Sequence, residues 1–219
     1  LVNMSSGATF VEARDNELIY PQALTGPDAN IEATVRGWNA RHEAQGVRFN
    51  YNELCPLTIG IVIRAVSHKS LSEFAEEFLW IPLGAEANAT WFTDKAKNEF
   101  NCIGFAARLR DWARLGQLVA QKGEMNGKQV VSRQWMNSYS HWEPSEAQVR
   151  YGALSGRAGP GWLLAGYKAF MWHAKADGSQ PVFNGFEGQR VFIDIPTETV
   201  LVQTAVDDAG DWQKELYAL

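Results

Sequence analysis

Residues 49–60, FNYNELCPLTIG, are the stretch from which we interpret the rest of this sequence. Tyr51 stands just before a strong helix start, because Pro56 suits the first turn of a helix, where its missing N–H has no helical partner anyway. The apolar residues between Leu57 and Ile63 predict that this helix is buried. A phenol at such a junction is held rigidly yet accessible, a position typical of catalytic groups. The alternative is a surface tyrosine that packs on a turn.

The composition is that of an ordinary globular protein. The chain has 219 residues, of which 46% are hydrophobic and 21% charged, enough for one large or two small domains. The net charge is −5, from 20 basic and 25 acidic residues, with no run of lysine or arginine, so we expect no nucleic-acid partner. No apolar run approaches the roughly 18–20 residues that span a bilayer, so we expect no membrane span in this chain.

Cysteine and histidine usage indicates neither a disulfide framework nor a metal site. Cys55 and Cys102 both lie in apolar surroundings, which favours buried free thiols over a bridge. The histidines are scattered, with no pair at metal-ligand spacing: His42, His68, His141 and His173. We therefore expect no metal and no cofactor.

The N-terminus carries no export information. The first residue is Leu1, and no signal-like segment follows it. We expect the sequence to start inside a longer protein or after a removed segment. A cytoplasmic and a periplasmic location both stay open.

Helix signals dominate the first two thirds of the chain. Asp28 or Asn30 is a candidate cap for a helix over residues 31–45, and the capping box at residues 70–73 opens a short helix through Phe78. Further helices are predicted over residues 53–68, 108–122 and 132–139, whereas residues 1–27 are predicted to be an apolar start and a loop. Trp112 and Trp135 are candidate core residues of these helices, and Arg110 and Asp111 are predicted to form a structural ion pair.

Strand signals follow a turn-rich stretch at residues 140–160, where we place the domain change. The predicted strands cover residues 161–165, 168–172, 189–195 and 200–205, with a hairpin-like turn at 195–199 and a C-terminal helix from Trp212. Helices that come first and an antiparallel sheet that comes last predict an α+β fold.

Five segments, in this order, resemble the serine hydrolases of the class C β-lactamase and penicillin-binding-protein family, in particular their esterase and 6-aminohexanoate-oligomer hydrolase branch. They are LVNMSSG at 1–7, FNY at 49–51, WIPLG at 80–84, LRDWARLG at 109–116 and FNGFEGQ at 183–189. The resemblance implies a β-lactamase/transpeptidase-like fold with the active site in the cleft between a helical domain and a sheet domain. It implies that residues 1–155 form the helical domain and residues 156–219 the C-terminal part of the α/β sheet domain.

The nucleophile of that family stands in a Ser-x-x-Lys motif, which this sequence does not contain. None of the eight lysines has a serine three places before it. In the family the motif lies before the segment that resembles residues 1–7. We therefore expect the serine, its lysine and part of the sheet in an N-terminal segment missing from this chain, which alone is predicted to be inactive.

The family's second motif is Tyr-x-Asn or Tyr-x-Ser, and residues 51–53 occupy its place. The resemblance implies that Tyr51 shuttles the proton of the nucleophile. Ionisation of a phenol at pH 7 needs its pKa lowered by about three units, roughly 4 kcal/mol, part of which a nearby lysine supplies. Glu53 departs from the pattern. It points elsewhere, reads a cationic substrate group, or is a solvated helix-start residue favoured by the helix dipole.

The third motif, a strand-borne Lys-Thr-Gly in β-lactamases, is matched only in its looser form by Phe183, Asn184 and Gly185. The missing lysine argues against recognition of a β-lactam carboxylate. Asn184 and Gly185 are predicted to line the substrate pocket, and the backbone N–H of Phe186 is predicted to be one oxyanion donor. The alternative for this stretch is a bulged hairpin without chemistry.

Three functions compete on these grounds. The first is a serine-dependent acyl hydrolase that acts on a small ester or amide through an acyl-enzyme. The second is a catalytically inactive binding or scaffold protein of the same fold, which Glu53 and Phe183 favour slightly. The third, a metallohydrolase, is disfavoured by the scattered histidines.

Overall fold

The computed structural model describes residues 1–139, 166–175 and 177–206, and the structural statements below refer to these residues. Helices come first and an antiparallel sheet follows, so the predicted α+β class is confirmed. The helices are α1 Glu12–Tyr20, α2 Ile31–Gly37, α3 Leu54–Ser67, α4 Leu71–Ala75, α5 Ile81–Leu83, α6 Leu109–Ala120 and α7 Arg133–Tyr139. The strands are β1 Glu124–Met125, β2 Lys128–Gln129, β3 Gly166–Lys168, β4 Met171–His173, β5 Pro181–Asn184, β6 Arg190–Asp194 and β7 Thr199–Gln203.

The loop predicted for residues 1–27 is wrong, because this region contains helix α1, which continues as a π-helical turn, Pro21–Thr25. At the N-terminus of this helix the carboxylate of Asp15 accepts a hydrogen bond from the N–H of Val11, the N-cap residue, at 2.7 Å. Ile19 and Ala23 are fully buried. The polar residues around them hide this narrow apolar face in the sequence.

Helix α2 is shorter than predicted. Asn30 caps it, as one of the two candidates, and accepts a hydrogen bond from the N–H of Ala33 at 2.8 Å. The helix ends at Gly37, because Trp38 has non-helical angles of φ −90° and ψ 62°. The predicted continuation to residue 45 is therefore wrong.

Helix α3 and the capping box that opens α4 are both confirmed. The buried carboxylate of Glu99 also accepts hydrogen bonds from the N–H groups of Leu71 and Ser72, at 3.1 and 2.9 Å. A π-helical turn, Glu76–Trp80, continues α4 into α5. Within the described ranges no single helix meets the length and hydropathy criteria for crossing a bilayer. Leu54–Ser67 and Leu71–Leu83, bent by 78°, meet them only as a pair, by length and composition.

The main sheet has the order β3-β4-β5-β6-β7, and every neighbouring pair is antiparallel. Strands β6 and β7 confirm the strands predicted over residues 189–195 and 200–205. The strand predicted over residues 168–172 is instead a hairpin, since Ala169 and Phe170 both have positive φ, 52° and 63°. Strand β5 was not among the predicted strands.

The two faces of the sheet pack on different parts of the chain. On one face Val191 and Val200 contact α6, where a Cβ added to Gly116 would lie 2.5 Å from the Cγ1 of Val200. On the other face Val182 and Trp172 pack against Phe49. The helical part therefore contacts both sides of the sheet.

Some side-chain predictions are corrected. Trp135, taken as a core residue, is 44% exposed. Asp111 pairs with Arg114 at 3.0 Å, and not with its neighbour Arg110, which reaches Glu86 at 3.3 Å. Both cysteines are free, as predicted, but only Cys55 is buried, whereas Cys102 is half-buried.

Three predictions fall outside the described residues. They are the domain change at residues 140–160, the strand at 161–165 and the C-terminal helix from Trp212. The division into residues 1–155 and 156–219 stays a prediction.

Candidate active site

Tyr51 belongs to an aromatic cluster, formed with Phe49, Tyr167 and Trp172, just before α3. Its half-buried ring lies 5.4 Å from that of Trp172 and 5.8 Å from that of Tyr167, measured between ring centroids. Burial raises the pKa of Tyr167 well above its usual value, and the negative charge of an ionised Tyr51 adds to the effect. Of these two adjacent phenols, Tyr167 is fixed in the neutral form, so Tyr51 is the candidate for proton transfer.

Glu53 is buried, at 6% exposure, so its interpretation as a solvated residue at the helix start is wrong. Its Oε1 accepts a hydrogen bond from the hydroxyl of Tyr20 at 3.3 Å. Burial raises the pKa of Tyr20, and the charge of Glu53 raises it further. Burial followed by the charge of Glu53 also raises the pKa of the Cys102 thiol. Glu53 therefore points towards α1 and Cys102.

Asn184, the last residue of strand β5, and the next two residues, Gly185 and Phe186, lie at the rim of a pocket of about 370 Å³. We call it the β5 pocket. Its walls include three aromatic rings, of which Phe105 contacts both Trp91 and Trp112. Phe186 is 82% exposed, and its backbone N–H makes no hydrogen bond to any residue the structure describes. The β5 pocket thus combines an apolar wall with an available backbone donor.

The turn after β5 is closed by short backbone contacts. The N–H of Gly185 donates to the carbonyl oxygen of Gln189 at 2.8 Å. A Cβ added to Gly185 would lie 3.0 Å from the Cβ of Gln189, so a side chain here would push the turn open. The close approach, and not the backbone angle, favours glycine here, since a φ of −93° is open to any residue.

The aromatic cluster packs on the sheet face that carries Asn184, whereas the β5 pocket also includes Phe183 and Val191 from the opposite face, which packs against α6. Trp172 pairs with Val182 across β4 and β5. Val182 and Asn184 are two residues apart on one strand, so their side chains share a face of the sheet. Tyr51 packs on this same face through Trp172. Neither Tyr51 nor Glu53 is among the described residues that line the β5 pocket itself.

A second, larger groove of about 840 Å³ lies elsewhere, where the end of α6 faces the β6–β7 turn. Its lining is mostly polar and carries charges of both signs, including Lys122, Arg133 and Glu198. It contains none of the predicted site residues. The β5 pocket is therefore the candidate site.

In the described ranges no group of three or more His, Cys, Asp or Glu side chains is arranged to hold a metal ion. His173 is fully buried, and burial lowers its pKa to about 4. It is therefore a neutral core residue at pH 7.

Two residues of the site were not predicted. Arg190 holds the turn after β5, and Asn101 joins the wall of the β5 pocket to α3. Each side chain donates a hydrogen bond to a backbone carbonyl oxygen. The carbonyl that Asn101 contacts belongs to Pro56, 45 residues away in the chain. No local pattern in the sequence encodes such contacts.

Comparison with known proteins finds a curated relative in sequence and several solved structures of similar fold. No family model matches the sequence. The chain is 27% identical over 142 residues to 6-aminohexanoate-dimer hydrolase from Paenarthrobacter ureafaciens, a match that covers 65% of this chain and 35% of the relative. The family resemblance inferred from the sequence is thereby confirmed.

Solved structures show the same fold. A Bacillus anthracis protein assigned by name to the 6-aminohexanoate-dimer hydrolases superposes with a TM-score of 0.78 at 24% identity, over 99% of this chain and 57% of its own. A penicillin-binding protein from Bacillus halodurans superposes with a TM-score of 0.67 at 11% identity, over 99% of this chain and 70% of its own. A D-stereospecific amidohydrolase from Streptomyces superposes with a TM-score of 0.64 at 14% identity, with the same two coverages. The chain thus spans about a third to two thirds of the length of these proteins.

Proposed function

Because the chain is similar in sequence and fold to the β-lactamase- and penicillin-binding-protein-like serine hydrolases, we propose that it is part of a serine-dependent acyl hydrolase that cleaves an ester or amide bond. The attacking serine and its lysine come from polypeptide outside these 219 residues. The single observation that carries this proposal is the N–H of Phe186 at the rim of the β5 pocket, which makes no hydrogen bond to any described residue.

In this proposal Phe186 supplies one oxyanion donor, and the N–H of the serine supplies the other. Preorganised donors of this kind stabilise the negative oxygen that forms when a nucleophile adds to an acyl carbon. Asn184 and Gly185 form the rim that the substrate crosses. The exposed position of Phe186 leaves this edge of the strand accessible.

Tyr51 is the proposed proton-transfer group. Its ring is held on three sides by Phe49, Tyr167 and Trp172, so its hydroxyl has a defined direction. It packs on the sheet face that also carries Asn184. Glu53 accepts a hydrogen bond from Tyr20 on α1, and in this proposal it supports the structure and does not contact the substrate.

The proposed substrate presents an apolar acyl or leaving group to the β5 pocket. Three aromatic rings line the pocket, and the charged side chain described at its rim, Arg190, donates to backbone carbonyl oxygens. Such a lining favours an uncharged aliphatic or aromatic group over a carboxylate. The 6-aminohexanoate dimer, the compound in the relative's name, is a linear amide to test first.

The experiment uses the full-length protein that contains this sequence. A fluorophosphonate probe should form a covalent adduct, and p-nitrophenyl butyrate or the 6-aminohexanoate dimer should be hydrolysed. The 219-residue chain alone should do neither. A full-length protein without adduct and without turnover would instead favour a binding or scaffold protein of the same fold.

A further inference from the structure

Arg190 contacts the peptide group that would supply the oxyanion donor. Its guanidinium Nη1 donates to the carbonyl oxygen of Gly185, and also to that of Gln189 at 2.7 Å. The carbonyl of Gly185 and the N–H of Phe186 belong to one amide. Because a trans peptide group is planar, its N–H points opposite to its C=O. Holding the oxygen of Gly185 therefore fixes the direction of the Phe186 N–H.

Arg190 is itself held rigidly. It is 7% exposed and lies on β6, the strand between β5 and β7, where it pairs in register with Asn184 and Gln203. Its guanidinium and the backbone N–H of Gly185 both donate a hydrogen bond to the carbonyl oxygen of Gln189 in the turn after β5. The donor is thus placed by the interior of the sheet, although Phe186 is exposed.

The contact has an electronic effect as well as a geometric one. A cation bound to a carbonyl oxygen withdraws electron density through the amide and makes its N–H a stronger donor, because linked hydrogen bonds polarise one another. The positive charge also lies one peptide group from the position of the developing oxyanion, where fixed charge is most effective.

We propose that Arg190 is a positioning residue of the oxyanion hole, which orients and polarises the Gly185–Phe186 peptide. The inference rests on the proposed function. It assigns to Arg190 an effect on the transition state, acting through the backbone, in place of contact with the substrate. Loss of the guanidinium should therefore lower kcat and leave KM nearly unchanged.

The test compares Arg190→Met, Arg190→Lys and Gln180→Met in the full-length protein. Gln180 is the matched control, because its Nε2 donates to Oδ1 of Asp194 at 2.8 Å and so joins the start of β5 to the end of β6, away from the β5 pocket and the Gly185 carbonyl. Removal of a whole oxyanion donor costs about 10²–10³-fold in kcat. For Arg190→Met, which weakens the donor, we expect a loss of roughly 10–100-fold.

Four further results are expected. The KM of Arg190→Met stays within about threefold, whereas its Ki for an alkyl boronic acid, which forms a tetrahedral anion on the serine, rises by about the factor lost in kcat. Arg190→Lys lies between wild type and Arg190→Met. Gln180→Met keeps kcat within about threefold even where its Tm falls.

Two results overturn the inference and leave the proposed function intact: wild-type kcat in Arg190→Met, or an equal loss of kcat in Gln180→Met. If Arg190→Met does not fold, Arg190→Gln replaces it, and wild-type kcat in that variant has the same meaning. A wild-type protein that neither binds the fluorophosphonate nor hydrolyses either substrate overturns the proposed function, and the inference with it.

Discussion

The side-chain amide of Asn101 donates a hydrogen bond to the carbonyl oxygen of Pro56, with 2.6 Å between Nδ2 and O. Asn101 lines the β5 pocket, and Pro56 lies in the first turn of α3, five residues after Tyr51. This bond therefore connects the wall of the pocket to the helix that begins three residues after the candidate proton-transfer group, Tyr51. The other end of the amide faces Gly60, where an added Cβ would lie 2.6 Å from Oδ1.

A double-mutant cycle on Gly60 and Asn101 measures this connection. Gly60→Ala displaces the Asn101 amide and breaks its bond to Pro56, which should lower the free energy of unfolding by about 1 kcal/mol, as should Asn101→Ala. The cost of Gly60→Ala should shrink once Asn101 is alanine, because of the three atoms nearest the added Cβ only the Cδ1 of Leu71, at 3.1 Å, then remains. Chemical denaturation gives the four values. Strictly additive losses would contradict the contact.

Two phenols of one cluster provide a test of the proton-transfer role. Tyr51→Phe should lower kcat by about 10²–10⁴-fold, the usual contribution of a positioned acid–base group. Tyr167→Phe is the control, because its ring lies 5.8 Å from that of Tyr51 and burial keeps its phenol neutral. Steady-state hydrolysis by full-length variants decides. Comparable losses in both variants would mean that the cluster only supports the fold.

Acid should destabilise the protein through His173. Burial lowers its folded pKa to about 4, below the 6.5 of the unfolded chain. Between these values the unfolded state binds the proton more readily than the folded state does. The contribution of neutral His173 to the free energy of unfolding is therefore fully present above pH 6.5 and is lost as the pH drops towards 4. The loss over this window is at most about 3 kcal/mol, at 1.36 kcal/mol per unit.

Thermal unfolding of the wild type, His173→Phe and His68→Asn at pH 7 and pH 5 isolates this term. The drop in Tm between the two pH values should be smaller in His173→Phe than in wild type. His68→Asn, which replaces an exposed histidine with positive φ, should behave as wild type. An unchanged drop in His173→Phe would show that other groups cause the acid sensitivity.

The contact between α6 and the sheet leaves no room for a side chain at Gly116. A Cβ there would lie 2.5 Å from the Cγ1 of Val200 and 2.9 Å from that of Val191. Gly116→Ala should therefore cost about 1–3 kcal/mol of the free energy of unfolding, as overpacking does. Gly37→Ala, with nothing within 4 Å, should be neutral or stabilising. Equal denaturation midpoints for the two variants would refute the close packing.

Much of the local structure could be predicted from the sequence. The capping box at Ser70 and the amphipathic pattern of α6 are encoded by neighbours within one or two helical turns, and both helices form as expected. Helix α1 and the π-helical turn after it were missed because their buried apolar residues, Ile19 and Ala23, are too few to form a clear pattern. The turn at Ala169 and Phe170 was missed because neither residue type favours the positive φ it adopts.

The candidate site divides in the same way. The sequence by itself determined the fold class, the family resemblance and the choice of Tyr51 and residues 184–186, because these depend on short motifs and their order. Only the tertiary structure decided that Glu53 points to Tyr20, that Asn101 holds Pro56 and that Arg190 holds the Gly185 carbonyl. Glu53 and Asn101 reach partners 33 and 45 residues away, and a backbone carbonyl looks the same at every position of the sequence.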